Sequence, residues 1–114
     1  VAFKLALSPT YETEVTLAYP VDGGRVEKHK FLARFRRLAQ PRLEELRGKL
    51  ASGEMSDREM LDEVLVSLGG VLDEEGAPIG EDRESLHRAL DVHPMQPTLV
   101  RAFLASLGSA REKN

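Results

Sequence analysis

Apolar and polar residues alternate from the start of the chain. Phe3, Leu5 and Leu7 are separated by Lys4 and Ala6, the period of two that marks a strand with one face buried. Ser8-Pro9-Thr10 then predicts a turn. A second alternation sets Val15, Leu17, Tyr19 and Val21 against Thr16 and Ala18, and it ends at Asp22-Gly23-Gly24, whose glycines accept the positive φ of a hairpin turn. A third run, from Val26 to about Leu38, sets His29, Phe31, Ala33 and Phe35 opposite Lys28, Lys30, Arg34 and Arg36. Phe31, Leu32, Phe35 and Leu38 also fit helical spacing, but a hairpin turn needs a partner strand after it, and that favours a strand. The expectation for residues 1–38 is a three-stranded antiparallel meander with one apolar face.

Beyond residue 38 the period changes. Pro41 suits the first position of a helix, where its missing amide is no loss; Leu43, Leu46 and Leu50 give that helix a narrow apolar stripe, Glu45 and Lys49 can pair at i,i+4, and Ser52-Gly53 ends it. Ser56 and Glu59 have the spacing of a capping box. Behind that cap, Met60, Leu61, Val64, Leu65 and Leu68 fall within an arc of roughly 140° at helical rotation, so the spacing predicts a central helix over 56–68 closed by Gly69-Gly70. Val66 breaks the pattern, since on that helix it projects between Arg58, Glu59, Asp62 and Glu63. An acidic turn, Asp73-Glu74-Glu75-Gly76, and a connector, Ala77-Pro78-Ile79-Gly80, lead to a third helix capped by Asp82, with Leu86, Ala89 and Leu90 inward and a stop at His93-Pro94. The last helix is expected from near Pro97 to about Arg111, with Leu99, Val100, Phe103, Leu104 and Leu107 as its stripe and a frayed polar tail after it. The fold class is therefore α+β: an N-terminal three-stranded antiparallel meander followed by about four α-helices, read as one domain over 1–114 with the meander at 1–38 and the helical part at 41–111.

Length and composition narrow the classes. A chain of 114 residues can bury a real but small core. The sequence has no cysteine, hence no disulfide framework or thiolate chemistry, and no apolar run long enough to span a bilayer, so a cytoplasmic location and no membrane partner are expected. The net charge of -3 hides a segregation: residues 25–49 carry nine Lys or Arg against three acids, and residues 50–91 carry twelve acids against three Lys or Arg. Phe31 and Phe35 alternate within the basic stretch as core residues do rather than as a base-stacking surface, so nucleic acid is not an expected partner.

Catalytic chemistry finds little to stand on. His29, His87 and His93 lie in separate contexts with no histidine at i+3 or i+4, so no metal site is read from them. The acidic turn lacks the alternating ligands of a calcium loop. Gly23-Gly24 and Gly69-Gly70 do not continue as phosphate-binding loops, and no serine has the glycines of a nucleophile elbow. No enzyme, catalytic residue or cofactor is expected; the chain reads as a binding protein. Val66 and neighbouring Met55 are candidates for a partner contact. Phe3, Leu5 and Leu7 are candidates on an unpaired sheet edge, and Arg34, Arg36 and Arg37 on the basic segment, which could meet the acidic segment of another copy head to tail and make a salt-sensitive homo-oligomer.

The order of these pieces resembles the tail assembly chaperone family of long-tailed, lambda-like bacteriophages. The resemblance runs through the early hairpin into Phe31-Leu32-Ala33-Arg34-Phe35-Arg36-Arg37-Leu38, then Glu63-Val64-Leu65-Val66 before Gly69-Gly70-Val71, the acidic turn, the Leu-rich helix stopped at Pro94, and the close Leu107-Gly108-Ser109-Ala110-Arg111-Glu112-Lys113-Asn114, its most specific piece. It implies a non-catalytic viral or prophage protein that binds the tape-measure protein, keeps it soluble in the host cytoplasm while tail tube protein polymerises around it, and is not retained in the virion. A small structural or adaptor protein of the tail or neck is the alternative.

Overall fold

The structure, a computed structural model, describes residues 2–5 and 7–112, with side chains in the last helix described as far as Gly108. Its elements are β1 (Thr10–Val21), β2 (Arg25–Arg36), α1 (Gln40–Ser52), α2 (Asp57–Val64), β3 (Leu65–Gly69), α3 (Arg83–Leu90) and α4 (Met95–Glu112). The fold is α+β, with a three-stranded antiparallel sheet in the order β1-β2-β3 and four helices.

The hairpin forms where the sequence puts it. Val21 pairs with Arg25 across a single turn at Asp22–Gly24, in which Gly23 and Gly24 take φ of 80° and 73°. Val15 and Leu17 on β1, with Phe31, Ala33 and Phe35 on β2, are buried, while Glu12, Glu14, Lys28 and Lys30 are exposed. Arg34 with Glu12 at 3.4 Å and Lys30 with Glu14 at 3.9 Å lie across the outer face.

The third strand is a correction. Phe3, Leu5 and Leu7 form no strand and are exposed, and Ala6 lies outside the described residues. The physical reason is register: Thr10 already pairs with Arg36 at the end of β2, and the Arg37 amide reaches the Pro9 carbonyl, so the chain before Ser8 has run past its neighbour. The sheet is completed instead by residues 65–69, of which the helical spacing assigns 65–68 to the central helix and Gly69 to its closing glycine pair. That helix starts as expected, with the Ser56 hydroxyl accepting from the Glu59 amide at 3.1 Å and the Glu59 carboxylate accepting from the Ser56 amide at 2.9 Å, but it ends at Val64. The helical part at 41–111 thus contains a strand.

The core lies between the sheet and the helices. Phe35 and Phe103 meet edge to face at 5.2 Å, and Leu46, Met60, Leu61, Val64, Leu99 and Phe103 are almost completely buried. Tyr11 packs 6.1 Å from Phe35, and its hydroxyl lies 2.7 Å from that of Ser106, which ties the first strand to α4. α1 carries Pro41 in its first turn, buries Leu46 and half-buries Leu43 and Leu50, and ends on Gly53 at φ 84°. α3 is capped by Asp82, whose carboxylate accepts from the Ser85 hydroxyl and amide and is held below the usual carboxylate range by those bonds. α4 begins at Met95, two residues before Pro97, and is helical through Glu112, one residue past the expected end near Arg111; Lys113 and Asn114 lie outside the described residues. Its stripe is Met95, Leu99, Val100 and Phe103 with Leu104 half-buried; Leu107, expected to be buried, is 36% exposed.

The hairpin outreaches this core. Residues 25–30 of β2 are exposed, and the radius of gyration is 15.5 Å against about 13 Å expected for a compact chain of this length. At the overhang, Tyr19 stacks on His29 at 5.5 Å and donates to Glu27 at 3.1 Å; burial first, then that hydrogen bond, raise the Tyr19 phenol above its ordinary pKa.

Candidate functional site

The pairing of β2 with β3 holds a break that creates a site. Phe35 pairs with Leu65 and Arg34 with Ser67, so Val66 is the extra residue of a β-bulge. A bulge re-aims one side chain and restores the alternation around it. Here it lets Leu65 and Leu68, three apart, both face the core, and it leaves Val66 half-buried on the lip of a cleft. Val66 is therefore accessible, as the sequence suggests, though it stands on a strand and not on the polar face of a helix.

The cleft encloses about 280 Å³ between β3, α2 and α3. Leu61, Leu65, Leu86 and Leu90 form its apolar floor. Both signs of charge stand at its edge. Asp62 on α2 meets His87 on α3 at 2.5 Å and Arg83 at 3.4 Å, and Arg36 enters from the end of β2. The Arg36 Nε donates to the Glu63 carbonyl at 3.0 Å, in the last turn of α2 and two residues before β3 begins. The Glu63 carboxylate is gripped by Arg42 of α1, whose Nε lies 2.6 Å away. That hydrogen bond, opposed by partial burial, holds Glu63 below the usual carboxylate range, and Glu45 is lowered likewise, chiefly by its own bond to Arg42. Arg42–Glu63 joins the basic segment to the acidic one inside one molecule. Elsewhere the acidic segment pairs with its own cations, as in Arg58–Asp91 at 2.8 Å.

The sequence-derived candidates are dispersed. Arg36 and Val66 meet at this cleft. Arg34 points to the outer face, bonded to Thr10 and Glu12. Arg37 is occupied at the start of the sheet, its Nε donating to the Ser8 carbonyl at 2.8 Å and its guanidinium 5.0 Å over the Tyr11 ring. Met55 is half-buried against the core and is not among the residues lining this cleft. Phe3, Leu5 and Leu7 stand in solvent before β1.

Sequence reasoning missed the His87–Asp62 pair, because the residues are 25 apart and meet only when α3 folds over α2. It also missed a second concavity of about 390 Å³ between the 71–79 turn and the α3–α4 junction. That turn is tighter than its acidity suggests: the Asp73 amide donates to the Ala77 carbonyl at 2.7 Å, and the Asp73 carboxylate accepts from the amides of Glu75 and Ala77. The exposed Leu72 and Val92 on either wall are the signal that could have drawn attention to it.

Among the described residues no cluster of three His, Asp or Glu side chains is arranged to hold a metal ion, and no helix is long and apolar enough to cross a membrane. No family model, curated protein or solved structure matches the chain.

Proposed function

We propose that the chain is a non-catalytic assembly chaperone of a long-tailed phage or prophage, which binds the tape-measure protein in the host cytoplasm, supports polymerisation of tail tube protein around it and is then released. The observation that carries the reading is the bulged Val66 beside a leucine-floored cleft edged by both signs of charge. A pocket of that size accepts one or two apolar side chains of an amphipathic helix, and the Arg36, Asp62 and Arg83 edge suits the helix's mixed polar flanks. The sequence resemblance supplies the identity of that helix.

The test is co-expression of the chain with the tape-measure protein of the same phage or prophage. The tape-measure protein should stay in the supernatant and co-purify, and Val66→Glu should abolish co-purification while leaving the thermal unfolding midpoint nearly unchanged. Mass spectrometry of washed particles should find no copies of the chain. Copies in the particle at fixed stoichiometry would overturn the reading in favour of a tail or neck adaptor.

A further inference from the structure

Five of the large exposed apolar side chains fall in two places. Phe3, Leu5 and Leu7 are 72%, 86% and 51% exposed on the segment before β1. Leu72 and Val92 are 60% and 56% exposed on the walls of the groove between the 71–79 turn and the α3–α4 junction. Ile79 and the buried Met95 line its interior, and at about 390 Å³ it lies within the range of about 300–1,000 Å³ typical of ligand-holding pockets. Its lip is acidic. Among the described residues Glu74 and Glu75 form no ion pair, and Arg88, which also lines the groove, is bonded to Glu84 at 3.3 Å.

We propose that this groove receives the Phe3-Lys4-Leu5 segment of a second copy of the chain. In an extended strand Phe3 and Leu5 point the same way about 7 Å apart, so both can enter one groove while Lys4 points back out towards the lip. There its flexible stem lets the ammonium settle on Glu74 and Glu75. Apolar filling and charge complementarity thus select the same segment. The molecule's own segment is not the occupant: it is exposed, and it leaves the sheet where Thr10 pairs with Arg36, beside the β1 edge. The groove follows Gly70, which lies against Phe31 on the β3 side, five residues back along β2 or about 17 Å. Each copy offers one segment and one groove, so the contact is head-to-tail and builds rings or open chains. None of this depends on the identity of a client protein.

Sedimentation equilibrium on the full chain tests the proposal. The wild-type weight-average mass should rise with concentration. Phe3→Asp/Leu5→Asp, which spoils the segment, and Glu74→Lys/Val92→Glu, which spoils the groove, should each weaken association at least about tenfold, a change of about 1.4 kcal/mol. Both variants alter exposed side chains, so their thermal unfolding should overlay the wild type. Mixed in equal amounts they should form a dimer and nothing larger, because one retains only a groove and the other only a segment. A wild type that stays monomeric at all concentrations would overturn the proposal. So would a mixture that stays monomeric, or association that survives both pairs of substitutions, as pairing along the free β1 edge would.

Discussion

Residues 56–70 and 95–107 carry nearly the same apolar spacing, yet one folds as a helix that turns into a strand and the other as a continuous helix. Met60, Leu61 and Val64 are buried on α2, and the next members of the same helical stripe, Leu65 and Leu68, are buried on β3. Met95, Leu99, Val100 and Phe103 are buried on α4 without interruption. The difference lies in what each stretch faces. Without β3, the edge of β2 from Leu32 to Phe35 would be unpaired beside the first stretch, and its amides and carbonyls must find partners when the sheet is covered. α4 packs on β1 and α2 as a covering helix and pairs with no strand. Backbone demand from a distant part of the chain outweighs local period.

The largest expected effect comes from α4. Phe103 is almost fully buried against Phe35, and Phe103→Ala should cost about 3 to 5 kcal/mol, read from urea unfolding. That is a large part of the total stability of a small domain, about 5 to 15 kcal/mol. Gly70→Ala tests the other stretch: Gly70 follows β3 at φ 84°, and a side chain held in that conformation costs about 1 to 2 kcal/mol, although the added carbon would meet Phe31 only at 3.8 Å. A helix that ran on to residue 68 and ended on glycine would feel the same change, so amide exchange at Val66 and Ser67 should accompany it. Those amides should exchange faster in Gly70→Ala while those of α4 do not.

Ser56→Ala should cost about 1 kcal/mol by removing the hydroxyl that accepts from the Glu59 amide, with the loss confined to α2. Arg42→Gln should have the smallest effect, visible only through pH. Glu63 and Glu45 have folded-state pKa values below their unfolded ones, so their contribution is present above the ordinary carboxylate range, near pH 4.3, and is lost as the pH falls through the lowered values. The unfolding midpoint of the wild type should therefore fall more steeply on acidification from about pH 5 to about pH 3 than that of Arg42→Gln. Equal slopes would show that the guanidinium does not act on the joint between α2 and β3.

The parts of the fold legible in sequence are those whose signals are local. The hairpin at Asp22-Gly23-Gly24, the capping box at Ser56 and Glu59, the cap at Asp82 and the end of α1 at Gly53 each depend on a few adjacent residues, and each is observed. The strand at 65–69 was illegible because its bulge puts two buried leucines three residues apart, a spacing that period two forbids and a helix allows. The alternation at Phe3, Leu5 and Leu7 misled for the opposite reason: a pattern suited to a strand makes none where no neighbouring strand is present. Of the candidate site, Val66 and Arg36 could be singled out beforehand. Their meeting at one cleft could not, since it depends on the bulge and on α3 folding over α2.

The bulge and the late arrival of β3 also set an order of assembly. β1 and β2 are joined by one tight turn, so they can zip together at small entropic cost. β3 can dock only after two helices have brought the chain back to β2, closing a much longer loop. The sheet is thus built in two stages, and its last strand, short and irregular, is the first that can be released without dismantling the hairpin. Release of that strand would also open the leucine floor beneath Val66, so the same event that begins unfolding would widen the cleft for a bulkier guest.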